Sequence, residues 1–275
     1  MESKNITAGG IKMRWLESGE GPASVVFVHG IPTGPLLWRH VVPLVRDARC
    51  FSWEMVGYGD SMPEGIDRDI SVGKQADYLL AWMDAVGLSS AVLAGHDLGG
   101  GVVQIAATRR PAACSGLFLT NAIGYDSWPI PSVKMMQMTG GVMRHLPNAI
   151  FRGIYSSFIH RGHEDAGRAS EAVHCHWPSY ARHGGATAFV RQVRSLDVKD
   201  TLAVSNSLST LTVPARVVWG MDDQFQKAEY GERLARDLKT SLTRIEGGKH
   251  FTPEDHPDVI AREVSGLVQE VASSA

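Results

Sequence analysis

The sequence predicts an α/β fold in which a mostly parallel central sheet carries helices on both faces. Short apolar runs typical of buried strands alternate with segments of helical spacing over residues 1–125, and the alternation returns over 209–275. Such alternation favours parallel strands joined by helices. Strand signals vanish over 126–208. We therefore predict one core built from two stretches of chain, with a helical cap inserted between them.

The first part of the core supplies most of the predicted strands. Residues 25–28 form a continuous apolar run, which suits a strand buried on both faces of a parallel sheet. Over 71–86 the apolar residues recur at helical spacing, and Gly87 follows as a stop signal. In chain order the predicted elements are strand 11–17, strand 25–28, helix 36–46, strand 49–55, helix 71–86, strand 91–96, a helix ended by Pro111, and strand 116–121.

The insertion and the second part of the core differ in pattern. The insertion carries four methionines among glycine, proline and aromatic residues, which suits a lid whose inner face forms a pocket wall. After it come a strand at 215–219, a helix at 228–238, a strand at 242–246 and a last helix from Pro257. The last helix repeats its apolar residues at three- and four-residue spacing, as a helix on a sheet requires.

Composition and charge exclude several function classes. The 275 residues carry a net charge of −2, and the basic residues are scattered, so no nucleic-acid partner is expected. The three cysteines form no C-x-x-C pair, which favours a reducing compartment. The chain shows neither the apolar segment of a signal peptide nor a run near the roughly 20 residues of a membrane span. We expect a cytoplasmic protein with no membrane partner, no metal and no other cofactor.

The chemistry centres on Asp97. This residue follows an apolar strand and precedes an apolar helix, with Gly95 two residues before it and Gly99 two residues after it. The pattern is that of a nucleophile elbow, a turn so tight that its neighbours must be small. An Asp at the start of a helix is in many proteins only a cap. The flanking glycines and a suitably placed histidine favour a nucleophile here.

Two further groups follow later strands. The turn after the first strand beyond the insertion carries Asp222 and Asp223, and a glycine-rich turn after the next strand presents His250. Open α/β sheets build their sites at the carboxyl ends of their strands. The chain order of nucleophile, acid and histidine therefore predicts a triad of Asp97, Asp223 and His250. Asp223 is preferred to Asp222 because it stands three residues after the glycine that ends the strand.

Several segments of the two core parts match known motifs. They are His29-Gly30-Ile31-Pro32-Thr33 with Leu37-Trp38-Arg39, Gly57-Tyr58-Gly59-Asp60-Ser61, Gly95-His96-Asp97-Leu98-Gly99-Gly100, and Gly248-Lys249-His250-Phe251 with Glu254-Asp255-His256-Pro257. Through them the chain resembles the Asp-nucleophile branch of the α/β-hydrolase fold, which includes epoxide hydrolases and haloalkane dehalogenases. The resemblance covers both core parts and is weak over the insertion. It implies a mostly parallel sheet with the helical cap inserted after strand 6.

The resemblance also implies hydrolysis in two steps. A carboxylate is ionised at pH 7 and can attack an sp³ carbon without a base, which would leave an ester on Asp97. His250 would then activate the water that hydrolyses the ester, while Asp223 orients the imidazole. The backbone N–H groups of Leu98 and Ile31 would form the oxyanion hole of the second step.

The chain departs from its family where the leaving group is held. Dehalogenases use a Trp after the nucleophile, with an Asn in the His-Gly-x-Pro loop or a second Trp in the cap. Leu98 and Ile31 occupy the first two of these positions, and their side chains donate no hydrogen bond. Epoxide hydrolases use cap tyrosines, or a Tyr with a His, to protonate the ring oxygen. The candidates for substrate or leaving-group contacts are Tyr180, Tyr155, His176, Trp177, Trp128 and Trp38.

We therefore expect the opening of an apolar epoxide to a diol as the main activity. A haloalkane dehalogenase with unconventional halide donors, such as Trp177 or Trp128, is the first alternative. A ligand-binding protein of the same fold without turnover is the second. The expected partners are a small apolar molecule and water, and a homodimer is left open.

Overall fold

The computed structural model describes residues 1–274 and contains one eight-stranded sheet. The strands are β1 Glu2–Ala8, β2 Ile11–Ser18, β3 Ala23–Val28, β4 Ala48–Trp53, β5 Ala91–Asp97, β6 Cys114–Ala122, β7 Ala215–Gly220 and β8 Leu242–Ile245. They lie in the order β1-β2-β4-β3-β5-β6-β7-β8. Only β2 pairs antiparallel, with β1 and β4, and the other neighbours are parallel. The prediction of a mostly parallel sheet is confirmed.

The middle of the sheet is apolar on both faces. β3 hydrogen-bonds to β4 on one side and to β5 on the other, and every residue of β5 is buried. Within β3 the run 25–28 is fully shielded from solvent. Because β5 is central and ends at Asp97, the proposed nucleophile lies at the end of one of the most buried strands of the protein.

Helices pack along the sheet, and several of them come between β6 and β7 in the chain. They are α1 Val72–Ala85, α2 Leu98–Arg109, α3 Pro131–Met143, α4 Asn148–Gly162, α5 Ala166–Arg182, α6 Gly185–Arg194, α7 Lys199–Leu202, α8 Ala228–Asp237, α9 Thr252–Asp255 and α10 Pro257–Ser274. α2 packs against β5 and β6, and α10 lies against β6 and β7. The predicted alternation of strands and helices therefore describes the core.

Two local features differ from the prediction. β1 was not expected, because its polar and small residues alternate with few apolar ones, and it is held at the sheet edge by pairing with β2. The helix expected over 36–46 is instead two short 3₁₀ turns, Pro35–Trp38 and Val42–Leu44. Pro43 explains the break, since it has no N–H for a helical hydrogen bond.

The interval predicted to form the helical cap contains α3 to α7. Within it α4 packs against α5, and α3 packs against α6. The carbonyl oxygen of Gly162 accepts hydrogen bonds from the backbone N–H groups of His250 and Phe251 at 3.0 and 3.1 Å, so the insertion is tied to the core beside the predicted triad. The boundaries 126–208 stay a prediction. No helix of residues 1–274 combines the length and apolar character needed to cross a bilayer.

Candidate active site

Asp97 lies at the tight turn between β5 and α2. Its φ of +51° falls in the left-handed region that residues other than glycine rarely adopt. At Gly99 a Cβ atom would lie 2.1 Å from the carbonyl oxygen of Val28, so a larger residue would push α2 away from β3. The backbone thus has the strained geometry of a nucleophile elbow, with the acidic side chain presented at the end of the sheet.

The two oxygens of the Asp97 carboxylate have different neighbours. Oδ1 accepts a hydrogen bond from the backbone N–H of Ile31 at 3.0 Å, and the N–H of Leu98 also hydrogen-bonds the carboxylate. Oδ2 lies 3.6 Å from Nε2 of His250. The two predicted oxyanion donors therefore already hold the group whose oxygen would carry negative charge if water attacked an Asp97 ester.

His250 is joined to Asp223 by a hydrogen bond of 2.8 Å between Nδ1 and Oδ2. Asp223 is itself buried, and its Oδ1 accepts the backbone N–H of Phe225 at 2.7 Å. Asp222 is exposed to solvent. The structure thus brings together Asp97, His250 and Asp223, and of the two candidate acids only Asp223 reaches the histidine.

Asn121 is a site residue that the sequence interpretation missed. Its Nδ2 donates to Oδ2 of Asp223 at 2.7 Å, and its Oδ1 accepts from the backbone N–H of Gly220 and the hydroxyl of Thr252, each at 3.1 Å. The side chain is fully buried at the end of β6. A polar residue near the carboxyl end of a largely apolar strand was the available signal. Asn121 holds the acid in the orientation that His250 requires.

The pKa values of the nucleophile and the histidine are displaced together. Burial raises the pKa of the Asp97 carboxyl, although His250 and the N–H groups of Leu98 and Ile31 oppose the rise. Burial opposes protonation of His250, but the carboxylates of Asp223 and Asp97 raise its pKa above the ordinary value. In an Asp97 ester one of these negative charges is gone. The pKa of His250 would then fall, as a general base requires.

Two buried histidines brace the loops around the site. The pKa of His29 is lowered by burial to about 3, and its ring lies 2.9 Å from the carbonyl oxygen of Gly30. Nε2 of His29 accepts the backbone N–H of Met55 at 3.2 Å. His96 Nε2 lies 2.9 Å from the carbonyl oxygen of His250, and burial lowers its pKa as well. Burial thus favours the neutral form of both rings, and both hydrogen-bond to backbone groups around the site.

A small cavity of about 30 Å³ lies beside the Asp97 carboxylate and His250. Val133 and Leu196 of the insertion form part of its wall, and Phe225 forms part of the wall contributed by the core. The wall is mostly apolar. A cavity of this volume has room for water or for one small substituent.

The two tyrosines considered as acids hydrogen-bond elsewhere. The hydroxyl of Tyr155 donates to the carbonyl oxygen of Pro32 at 3.1 Å, and that of Tyr180 donates to Oε1 of Gln192 at 2.6 Å. Both side chains are buried, and neither lines the cavity at Asp97. Burial raises the pKa of both hydroxyls well above the ordinary tyrosine value.

The remaining candidates also make contacts of their own. His176 pairs with Glu254 at 3.2 Å and lines a different cavity of about 190 Å³. Trp177 packs against Tyr155, with ring centroids 5.5 Å apart. Trp38 is fully buried against Phe27 at 4.9 Å. None of these three lines the Asp97 cavity.

Trp128 does line the Asp97 cavity. Its indole N–H, however, donates to the hydroxyl of Thr201 at 2.7 Å. Of the six candidate contacts, Trp128 is thus the one that lines the Asp97 cavity, and its N–H is already bonded to Thr201. Across residues 1–274 no group of three or more His, Cys, Asp or Glu side chains is arranged to hold a metal ion.

Comparison with known proteins places these residues in a family context. A family model described as the alpha/beta hydrolase family matches residues 25–263. A haloalkane dehalogenase of Bradyrhizobium diazoefficiens is 26% identical over 299 residues, covering 98% of this chain and 94% of the relative. Haloalkane dehalogenase 2 of Mycobacterium tuberculosis is 28% identical over 275 residues, covering 94% of this chain and 92% of the relative.

A solved structure gives the same picture of the fold. An alpha/beta hydrolase fold protein from Burkholderia ambifaria superposes with a TM-score of 0.85 at 26% identity, covering 95% of this chain and 96% of that one. The likeness therefore extends across the insertion as well as the two core parts.

Proposed function

Because the chain belongs to the α/β-hydrolase family, we propose that this enzyme hydrolyses the carbon–halogen bond of a small apolar haloalkane through an ester on Asp97. The observation that carries the proposal is the asymmetric environment of the Asp97 carboxylate. Oδ1 is held by the backbone N–H of Ile31, while Oδ2 lies near His250 at the wall of an apolar cavity. Oδ1 is held by a backbone N–H, and we assign the attack on carbon to Oδ2.

In the first step Oδ2 of Asp97 attacks the carbon that bears the halogen. A C–O bond forms, the carbon–halogen bond breaks, and the halide leaves with the bonding electron pair. Because the carboxylate is already an anion, the step requires no proton transfer. The N–H groups on the carboxylate fix its orientation, which aligns the attack with the small cavity.

In the second step water attacks Cγ of the Asp97 ester. His250 takes the proton from the water, and Asp223 stabilises the resulting imidazolium through the 2.8 Å hydrogen bond. Negative charge develops on the ester carbonyl oxygen and is stabilised by the N–H groups of Ile31 and Leu98. Breakdown of this intermediate releases the alcohol and restores Asp97.

The choice of a halide over an epoxide rests on the cavity lining, which includes neither of the tyrosines considered as proton donors. An opening epoxide gives an alkoxide, which needs a proton donor, whereas a halide ion needs none. The hydroxyls of Tyr155 and Tyr180 donate hydrogen bonds to the carbonyl oxygen of Pro32 and to Oε1 of Gln192. Neither tyrosine lines the cavity. The curated relatives named haloalkane dehalogenases support the same choice. Of the predicted activities, the dehalogenase alternative is therefore better supported than the epoxide hydrolase. The homodimer stays a prediction.

The test measures halide release from short chloro-, bromo- and iodoalkanes, with diol formation from matched epoxides in parallel. We expect halide and alcohol from the haloalkanes and no diol. In His250→Gln one equivalent of halide should be released, and the mass of the Asp97 peptide should rise by one alkyl group. His160→Gln, which changes an exposed histidine, is the matched control and should turn over normally. Diol formation without halide release would contradict the proposal.

A further inference from the structure

We propose that the side-chain amide of Gln226 donates a hydrogen bond to the departing halide, an assignment that rests on the proposed function. Gln226 lies three residues after Asp223, in the turn that follows β7. It is only 2% exposed, and it lines the same cavity as Asp97 and His250. A polar residue thus lines the cavity beside the nucleophile, where the leaving atom would be released.

The amide of Gln226 contains a buried oxygen atom that is not hydrogen-bonded. Among residues 1–274 this atom, Oε1, has no hydrogen-bond partner. The backbone of the same residue is fixed, because its carbonyl oxygen accepts the indole N–H of Trp219 at 3.0 Å. Buried side-chain polar atoms are usually hydrogen-bonded, so an exception beside a nucleophile indicates a group reserved for a ligand. A half-turn of the amide exchanges oxygen and nitrogen without changing its shape.

Other donors at the cavity are already engaged. The N–H of Trp128 bonds to Thr201, and His250 is bonded to Asp223 through Nδ1 while its Nε2 lies 3.6 Å from Oδ2 of Asp97. The backbone N–H groups of Ile31 and Leu98 bond the Asp97 carboxylate. Leu98 and Ile31, at two of the positions where dehalogenases carry side-chain halide donors, have apolar side chains. Gln226 therefore supplies the side-chain N–H that the sequence pattern left unassigned.

An amide suits a halide leaving group in particular. As the carbon–halogen bond breaks, the halogen takes both bonding electrons and becomes an anion, which an N–H donor stabilises by a hydrogen bond. No proton is transferred, because halides are the conjugate bases of strong acids. An alkoxide from an epoxide would have to be protonated, and an amide is too weak an acid for that.

Two substitutions at Gln226 test the assignment. Gln226→Met keeps the length of the side chain and removes the donor, and Gln226→Glu keeps the shape and adds a charge that repels halide. Gln224→Met is the matched control, since Gln224 is exposed in the same turn. Bromide binding is followed by quenching of tryptophan fluorescence, because Trp128 lines the cavity. We expect bromide to bind about tenfold more weakly to the Met variant, more weakly still to the Glu variant, and normally to the control.

The kinetic effect of removing the Gln226 amide should depend on the leaving group. Removing one donor to a developing anion costs roughly 10²-fold in rate. We therefore expect kcat/KM for 1-chlorobutane to fall about 10²-fold in Gln226→Met. The loss should be smaller for 1-iodobutane, since iodide accepts hydrogen bonds more weakly and leaves more readily. In the His250→Gln background the added Gln226→Met change should slow alkylation of Asp97.

The outcomes separate this inference from the proposed function. Unchanged bromide binding and unchanged alkylation in either folded Gln226 variant would overturn the inference alone. If Gln226→Met alkylates Asp97 at the normal rate but accumulates the Asp97 ester, the inference is also overturned. The amide would then act on the water of the second step. If the unsubstituted enzyme releases no halide and Asp97 is not alkylated, the proposed function fails, whereas the bromide titration still reports whether Gln226 binds the anion.

Discussion

The cavity at Asp97 has a core side and an insertion side, and the two are built differently. On the core side, Asp97, His250 and Asp223 form a single chain of polar contacts of 3.6 and 2.8 Å. On the insertion side the wall is apolar, and the hydroxyl of Tyr155 is turned away to the loop carbonyl of Pro32. The polar groups proposed to react thus lie on the core side, while residues of the predicted insertion contribute apolar wall.

The difference has a physical basis in how each side is anchored. Asp97 ends the buried strand β5, and Asp223 follows the buried strand β7. Hydrogen bonds to both neighbouring strands fix where each of these two strands ends. The insertion contributes helices whose polar groups are used to hold the insertion itself, as in the pair of Tyr180 and Gln192. Excluding water on that side strengthens every electrostatic interaction at Asp97.

The sharpest test of the core side compares the two neighbouring acids. Asp223→Asn removes the charge that stabilises the imidazolium of His250, and we expect turnover to fall about 10⁴-fold, the loss typical of a triad carboxylate changed to an amide. Asp222→Asn, in the same turn but exposed, should change turnover less than twofold. Halide release at substrate saturation measures both. Equal effects of the two substitutions would mean that the hydrogen bond to His250 is not needed.

The pH dependence tests the electrostatics of Asp97. Only the ionised carboxylate attacks carbon, so kcat/KM should fall about tenfold for each pH unit below the pKa of Asp97. Because burial raises that pKa, the fall should begin above the ordinary Asp value of about 3.9. The measurement is kcat/KM for a bromoalkane, with circular dichroism at each pH to confirm folding. A folded enzyme that stays fully active down to pH 4 would rule out the raised pKa.

A substitution in the part of the cavity wall formed by the predicted insertion should change which substrate lengths are preferred more than it changes the reaction at Asp97. Leu196→Ala enlarges the cavity and should lower the free energy of unfolding by about 2–4 kcal/mol. We expect kcat/KM for 1-bromohexane to rise several-fold relative to 1-bromopropane. Leu202→Ala, which changes a leucine that is 46% exposed in the same insertion, is the control and should alter neither quantity appreciably. An unchanged substrate ratio would place the size limit elsewhere.

The smallest effect is expected from Tyr155 in α4 and Tyr180 in α5. Their hydroxyls donate to Pro32 and Gln192, so Tyr155→Phe and Tyr180→Phe should leave kcat on a bromoalkane within about threefold. Each change costs roughly 1 kcal/mol of stability through one lost hydrogen bond. The same variants are assayed on an epoxide panel. If the unsubstituted enzyme forms diol and either variant loses that activity, the insertion takes part in the chemistry and the comparison fails.

Much of the core could be read from the sequence because its signals are local. The apolar run of β5, the glycines of the elbow and the acid between them specify a strand, a sharp turn and a helix within a dozen residues. The same is true of the turns that present Asp223 and His250. The prediction failed at β1, whose strand character comes from its partner, and at 36–46, where Pro43 interrupts the helical spacing.

The direction in which each insertion side chain points was beyond the sequence. Tyr155 meets Pro32 and Trp128 meets Thr201, each across a long stretch of chain, and a helical pattern does not specify such pairings. The same holds for Asn121, which supports Asp223 from a different strand.

The sequence by itself determined the order and identity of the groups proposed to react, since the tight turns that carry them need particular residues at fixed spacing. Only the tertiary structure decided which polar groups remain free at Asp97. That question depends on hydrogen bonds between distant segments, and these bonds occupy Tyr155, Tyr180 and Trp128 while leaving the amide of Gln226 without a partner for its oxygen among residues 1–274.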